Sequence, residues 1–332
     1  MGDLLNALAV AGKSALGFQA VFFALLAIGL NVHFGYTGLL NFGQIGFAML
    51  GGFGIAISVT QWGLNFWVGV VVGLAAAVFL ALLLGLPTLR LRADYLAIAT
   101  IAAAEGLRLL FRSVSASPVT GGTRGLAGFN GAFISLAPWD TSRRYPILGT
   151  RWSGGELWVA LVGWVLVALL CLLVWLLMRS PWGRVLKAIR EDEDAVRALG
   201  KNVYLYKMQS LVLGGVMGAL GGMVYVVATG AANPDQFQNA NTFLAYTVLI
   251  LGGSARVLGP VVGAVILLFV IQFADTGLRA LIGNGVIPEG LLSATDVAQI
   301  RFVLVGLGLM LLLVFRPQGI FGDRREVMLD AR

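Results

Sequence analysis

Few residues in this sequence have the type and spacing for covalent chemistry. AGKS at Ala11–Ser14 has the ending of a phosphate-binding loop, but that motif needs a glycine five positions before Gly12, where Ala7 stands. No strand precedes it, so no backbone cradle for a polyphosphate is expected. His33 is the only histidine and Cys171 the only cysteine, which rules out a Cys/His metal cluster and an internal disulfide. His33 reads as a helix-end residue and Cys171 as an inert thiol within an apolar run. Neither an HExxH helix nor a nucleophile elbow is present, and no nucleophile is matched to a base. No catalytic, metal-binding or cofactor-binding residue is therefore assigned, and the chain is expected not to be an enzyme. Glu105 and Arg108 stand inside an apolar run and have two readings. One is a functional ionisable group within a membrane span; the other is a pair on one helix face near the outer end of that span.

The densest chemistry lies in Arg179–Lys207, which holds seven basic residues and four consecutive acids, Glu191, Asp192, Glu193 and Asp194. Ser180 suits an N-cap, Pro181 the first helical position, and Gly200 a C-terminal stop. Between them Val185, Ile189, Val196 and Leu199 recur at helical spacing. Lys187/Glu191, Arg190/Asp194 and Glu193/Arg197 are i,i+4 pairs. The pattern predicts one short amphipathic helix between two spans. It is either a solvated loop placed by its positive charge, or a docking helix whose apolar stripe enters a groove on a cytoplasmic partner.

The elements that must position these residues are membrane helices. Of 332 residues, 58% are hydrophobic and 12% charged, with mean hydropathy +0.89; a soluble domain is about 25% charged. The net charge of +7 is concentrated in a few loops and no aromatic-rich basic surface accompanies it, so nucleic acid is not an expected partner and membrane lipid is. The N-terminal stretch shows no basic region or cleavage site before its first apolar run, and is not read as a cleaved signal peptide. Apolar runs cover 16–32, 64–86, 95–111, 157–178, 208–228 and 297–315. Two further runs, 35–59 and 243–274, are interrupted by glycines and polar residues, the second at GGSARVLGP. Such interruptions fit close helix packing or broken helices on a solute path. Phe243–Leu251 is too short to cross alone. If Arg179–Lys207 and the basic tail at 316–332 share the cytoplasmic side, an even number of crossings separates them. Run 243–274 must then be two passes or a re-entrant hairpin, with the loop 275–296 outside. The side of the N-terminus stays open. Polar stretch 113–156 contains TGGTRGL, read as tight turns; its Arg124, Arg143, Arg144 and Arg151 sit awkwardly in an outer loop. The expected fold is an all-α polytopic membrane protein, one transmembrane domain over 1–332, with about 8–10 transmembrane segments including broken or re-entrant helices.

Five stretches carry a family resemblance: GYTGLLNFGQIGF (35–47), TGGTRGL (120–126), SPWGRVLKAIREDEDAVRALG (180–200), LGGSARVLGPVVGA (251–264) and FRPQGIFG (315–322). From about Gly29 to Gly322 the chain resembles the LivM-like permeases of branched-chain amino acid ABC importers. The resemblance implies a permease subunit of a bacterial cytoplasmic (inner) membrane, paired with a second homologous permease. Two ATP-binding cassette subunits, which would hold the ATP, and an extracytoplasmic solute-binding protein would complete the importer. It makes 179–207 the coupling segment, with Arg184, Val185, Ile189, Glu191, Asp192, Glu193, Val196, Leu199 and Gly200 as expected contacts to the ATPase. By position, Tyr36, Thr37, Asn41, Gln44, Gly252 and Gly253 are the expected solute path. Relatives moving urea or short amides remain alternatives. An ion-coupled secondary transporter using Glu105 and Asp275, or a membrane scaffold, are readings from other classes.

Overall fold

The computed structural model describes residues 2–89, 93–147 and 149–283, and within 297–322 the positions 297, 300, 303, 306, 307, 310, 314–316 and 319–322. Helix α1 (Gly2–Leu16) leads into α2 (Phe18–Leu30), which runs without interruption into a π-helical turn, Asn31–Tyr36. Helices α3 (Gln44–Thr60), α4 (Phe66–Thr88) and α5 (Ala93–Arg112) follow. A cap then contains α6 (Ser117–Thr120), β1 (Leu126–Ala127), α7 (Gly131–Ile134), and the antiparallel hairpin β2 (Arg144–Ile147) and β3 (Thr150–Ser153). Helix α8 (Gly154–Arg179) leads to the short α9 (Pro181–Glu191) and α10 (Glu193–Ala198), and α11 (Val203–Thr229) leaves them. Strand β4 (Ala231–Ala232) pairs with β1, and α12 (Ala240–Gly252) and α13 (Gly259–Gly283) complete the described helices.

Five of these are long and apolar enough to cross a membrane: Phe18–Tyr36, α4, α8, α11 and α13. Together with α3, α5 and the half-length α12 they form a polytopic helical bundle. Helix α2 is hydrophobic all round and lies at its centre, with 83% of its apolar window buried, against 28–39% for α4, α8 and α13. Backbones approach closely at small residues, as lipid-embedded helices require. Where α3 crosses α11, a Cβ on Gly222 would stand 1.8 Å from the Ala48 carbonyl oxygen.

The two ends of the bundle are chemically distinct. At one end α9, the π-helical turn and the α12–α13 connection meet. At the other, Lys13 pairs with Glu156 at 3.0 Å and donates to the Arg151 carbonyl, and the Trp164 indole donates to the Leu16 carbonyl. Helix α13 starts at the α9 end, and its Gln272 lines a cavity with Lys13 and Glu156 at the far end. Residues 320 and 321 are back at the α9 end, where their N–H groups donate to Leu251 and Gly252. Most of run 297–315, of which parity requires a crossing, lies outside the described residues. Run 243–274 resolves into two helices, the first about 20 Å long and too short to span by itself. Residue 17 lies at the end opposite α9.

Several expected boundaries move. The first apolar run continues past His33 to Tyr36, because the π-turn keeps the helix going. The second run begins inside the π-turn and, after an irregular 38–43, is helical again from Gln44. Asp275, assigned to an outer loop, lies inside α13 and pairs with Arg279 at 3.0 Å; the rest of that loop, 284–296, falls outside the described residues. The glycines of TGGTRGL do make turns: Gly121, Gly122 and Gly125 have φ of +76°, +58° and +70°. The four arginines of 113–156 sit in or beside this cap, at the end opposite α9.

Candidate functional site

Local sequence explains why Arg179–Lys207 folds as two helices and not one. Ser180 caps α9 by accepting from the Gly183 N–H, with Pro181 at the first position. Asp192 then adopts an extended conformation (φ −154°, ψ 102°), and its Oδ1 accepts from the N–H groups of Asp194 and Ala195, both at 3.0 Å. A short acidic side chain that can cap a new helix competes with continuing the old one. The chain stops at Gly200, whose φ of +77° supports a Schellman ending: Gly200 N–H to Arg197 O and Lys201 N–H to Val196 O.

This break corrects two expectations. The Arg190/Asp194 register belongs to a continuous helix and is lost. Arg190 Nη1 instead donates to the Gly35 carbonyl at 2.6 Å, while Lys187 Nζ lies 5.8 Å from the centre of the Tyr36 ring. The Glu193/Arg197 pair does form, at 2.6 Å, and Glu193 also binds Lys207 across to α11. The apolar stripe is corrected as well. Ile189 and Val196, with Leu186, are buried in the bundle's own core, and Val185 packs against it. The exposed face holds Arg184, Glu191, Asp192, Asp194, Leu199 and Gly200, with Leu199 79% exposed.

The expected path residues of the first break divide into enclosed and cavity-bordering ones. Asn41 and Gln44 are fully buried. Asn41 Oδ1 accepts from Gly43 N–H at 2.9 Å, and its Nδ2 lies 3.0 Å from Gln44 Oε1 and 3.1 Å from His33 Nδ1. Gln44 Nε2 donates to Gly214 O at 2.9 Å, and His33 Nε2 lies 3.1 Å from Leu211 O. Thr37 donates to Val32 O at 2.8 Å and lies 2.7 Å from Ser210 Oγ. Tyr246 OH donates to Asn41 O, and the Ile45 N–H to Thr242 Oγ1. These groups satisfy one another and fasten the first break to α11 and α12, as buried polar groups must be satisfied. In this structure the side chains of Asn41 and Gln44 are both engaged in hydrogen bonds within the bundle. Thr37 and Tyr36 each border a cavity at the α9 end: one of about 280 Å³ with Ile189, Arg190, Glu193 and Lys207, the other of about 470 Å³ with Trp175, Arg179, Lys187 and Arg256.

Gly252 and Gly253 form the second break. Gly252 ends α12, and Gly253 has φ +107°. The carbonyls of Leu251 and Gly252, at the end of α12, accept from Ile320 and Phe321, so the FRPQGIFG stretch closes this helix terminus. Asn31 joins the two breaks: its Oδ1 accepts from Ala255 N–H at 2.8 Å and its Nδ2 donates to Arg256 O at 2.9 Å. Asn31, Arg190, Ser210 and Thr242 were not singled out from sequence as site residues. The available signal was a buried-span asparagine four residues before Gly35.

At the opposite end Arg108, 12% exposed, donates to Glu105 (Nε to Oε2, 3.0 Å) and to Asp235 (2.7 Å). Glu105 and Arg108 thus do pair on one helix face, with Asp235 as a third member. A groove of about 690 Å³ at this end is lined by Trp139, Tyr145, Trp152 and Trp164, the composition of an interfacial aromatic belt. Among the described residues no cluster of His, Cys, Asp or Glu could hold a metal ion.

The comparisons fit this geometry. The family described as "Branched-chain amino acid transport system / permease component" matches residues 14–314. The high-affinity branched-chain amino acid transport system permease protein LivM of Escherichia coli is 28% identical over 307 residues, 90% of this chain and 67% of that protein. A probable branched-chain amino acid transport permease protein LivM of Methanocaldococcus jannaschii is 25% identical, over 90% of both chains. The autoinducer 2 import system permease protein LsrC of Photorhabdus laumondii is 27% identical over 52% of each. With a polytopic bundle, paired helix breaks and a match over most of its length, this chain belongs to the branched-chain amino acid transport permease family.

Proposed function

We propose that this chain is the translocating permease subunit of an ATP-driven importer in the bacterial cytoplasmic membrane, and that its solute is a branched-chain or other small amino acid. ATP is bound by partner subunits, not by this chain. A second homologous permease and an extracytoplasmic solute-binding protein complete the assembly. One observation supports this most: α9–α10 crosses the end of the bundle where both helix breaks gather, fixed by its apolar side and exposing a charged one. That is the form of a surface built to be pushed. The exposed contacts are Arg184, Glu191, Asp192, Leu199 and Gly200, while Val185, Ile189 and Val196 mount the segment on the bundle and Glu193 braces it to Lys207.

The test is ATP hydrolysis by the complex reconstituted in lipid, with and without loaded binding protein, for wild type and for Arg184→Glu with Leu199→Asp. Both side chains are exposed, so the bundle should stay folded. Loss of stimulation supports the assignment, and stimulation surviving both changes sinks it. Competition of labelled leucine uptake by valine, by urea and by short amides separates the solute classes. If no ATPase co-purifies, ion-coupled transport becomes the better reading, although its candidates Glu105 and Asp275 are each held in an ion pair.

A further inference from the structure

The π-helical turn Asn31–Tyr36 ends abruptly inside the bundle, and its last carbonyls all need partners. Val32 O accepts from the hydroxyls of Thr37 and Ser210, His33 O from Leu39 N–H, and Phe34 O from Gly38 N–H. Gly35 O accepts from the Arg190 guanidinium of α9. The turn is thus completed by a side chain that belongs to the coupling segment, 155 residues away in sequence. The other side of the same residue matters too. A Cβ on Gly35 would lie 2.1 Å from Asn31 Oδ1 and 2.8 Å from Ala255 N. Only glycine lets Asn31 reach across to the second break.

A connected column follows. Arg190 holds Gly35; beside Gly35, Asn31 holds Ala255 and Arg256; and Gly252 at the head of that loop holds Phe321. Ala255 keeps a left-handed φ of +58°, unusual for a residue with a Cβ, at the point where Asn31 accepts its N–H. Charge-assisted hydrogen bonds such as Arg190 to Gly35 are the stronger kind.

We infer that Arg190 is a positioning residue for transport: it passes displacement of α9–α10 to Gly35, and through Asn31 to the second break, so that both breaks move as one body. The inference rests on the reading of α9–α10 as the contact with an ATP-driven partner. Lys187 over Tyr36 provides a second, softer contact to the same turn.

The experiment compares wild type, Arg190→Lys, Arg190→Met, Asn31→Leu and the Asn31→Leu/Arg190→Met double variant in the reconstituted complex. Solute uptake and ATP hydrolysis are measured together. Arg190→Met should keep stimulated hydrolysis while solute moved per ATP falls about fivefold or more, a size typical of coupling between sites. Arg190→Lys, which keeps a charged donor, should recover part of it. The double variant should be no worse than the poorer single one, since both act on one column. Amide exchange at Gly38 and Leu39 should rise in Arg190→Met, measured in the complex or, if that variant does not assemble, in the chain alone. Unchanged uptake per ATP, additive losses, or unchanged exchange at these amides would overturn the inference. A wild-type complex without stimulated hydrolysis would instead overturn the underlying reading of the segment.

Discussion

Replacing Gly222 by alanine tests whether backbone contact between α3 and α11 holds the bundle. The added Cβ would stand 1.8 Å from Ala48 O and 2.4 Å from its carbonyl carbon. A comfortable carbon–oxygen approach is about 3.3 Å, so the two helices must separate by more than an ångström at their crossing. Both contacting atoms are backbone, so no rotamer change relieves the clash. Overpacking of this kind costs about 1–3 kcal/mol, and this case belongs at the upper end. Gly12→Ala is the control. Nothing lies within 4 Å of its Cβ, and it sits inside α1, so alanine should stabilise by about 0.5–1 kcal/mol through the unfolded chain. The chain supplies its own probe. Cys171 is the only cysteine, is buried in α8, and its thiol faces Val257 O at 3.8 Å. A thiol-reactive fluorophore should label it only as the bundle opens. Heating purified protein with that dye should show an earlier transition for Gly222→Ala, by several degrees, and an unchanged or later one for Gly12→Ala. Equal transitions in the two variants would refute the argument, because the same chemical change would then have ignored its surroundings.

Three other perturbations follow from the same geometry. Asp192→Ala removes the cap of α10, at a cost of about 1 kcal/mol; amide exchange over 193–199 should quicken while the Cys171 labelling transition stays in place. Arg108→Gln leaves Glu105 and Asp235 without their shared guanidinium, and losing hydrogen bonds to charged groups costs about 1.5–3 kcal/mol; the labelling transition should fall, and Asp235→Asn added to it should cost less than it does in wild type. Ile189→Ala hollows the mount of α9, with a loss of about 2–5 kcal/mol for a fully buried site, and should lower solute moved per ATP before it lowers ATP hydrolysis; equal loss of both would refute the mount.

Sequence made some elements legible because their physics is local. The apolar runs at 64–86, 157–178 and 208–228 appear as α4, α8 and α11 within a few residues, since length and hydrophobicity alone define a span. The break around Arg256 follows from counting crossings together with a helix too short to span. Gly200 and Ser180 work as terminators because caps need only neighbouring atoms. What stayed hidden depends on atoms far apart in the chain. Asp192 can be an ordinary helix-surface acid or a cap, and its extended backbone decides which. Asn41 and Gln44 suit a watery path by type, yet they are consumed by His33, Gly43 and Gly214. Arg190 looked like one more surface charge, because its acceptor is the carbonyl of a residue with no side chain. The helix α1 was unassigned because fifteen residues without a long apolar run have no local signature of packing on α13.

The direction of the apolar stripe changes what the coupling segment can do, and magnitude decides it. Leu186, Ile189 and Val196 are between 0% and 5% exposed within this chain. Burying each is worth about 1.5–3 kcal/mol, so together they hold α9–α10 to the bundle with roughly 5–9 kcal/mol, an upper estimate. Coupling between distant sites typically amounts to only about 1–3 kcal/mol. A push of that size cannot peel the segment from its mount; it moves the segment and the mount together. Had the stripe faced outward, the same residues would be free to bind the proposed ATPase, and the segment would be only loosely joined to the two breaks. The inward stripe and the outward charge therefore divide the work. In the proposed importer, apolar burial would make the lever rigid, Arg190 and Lys187 would set where it bears on the first break, and the exposed face with Leu199 at its tip would be left for the partner to engage.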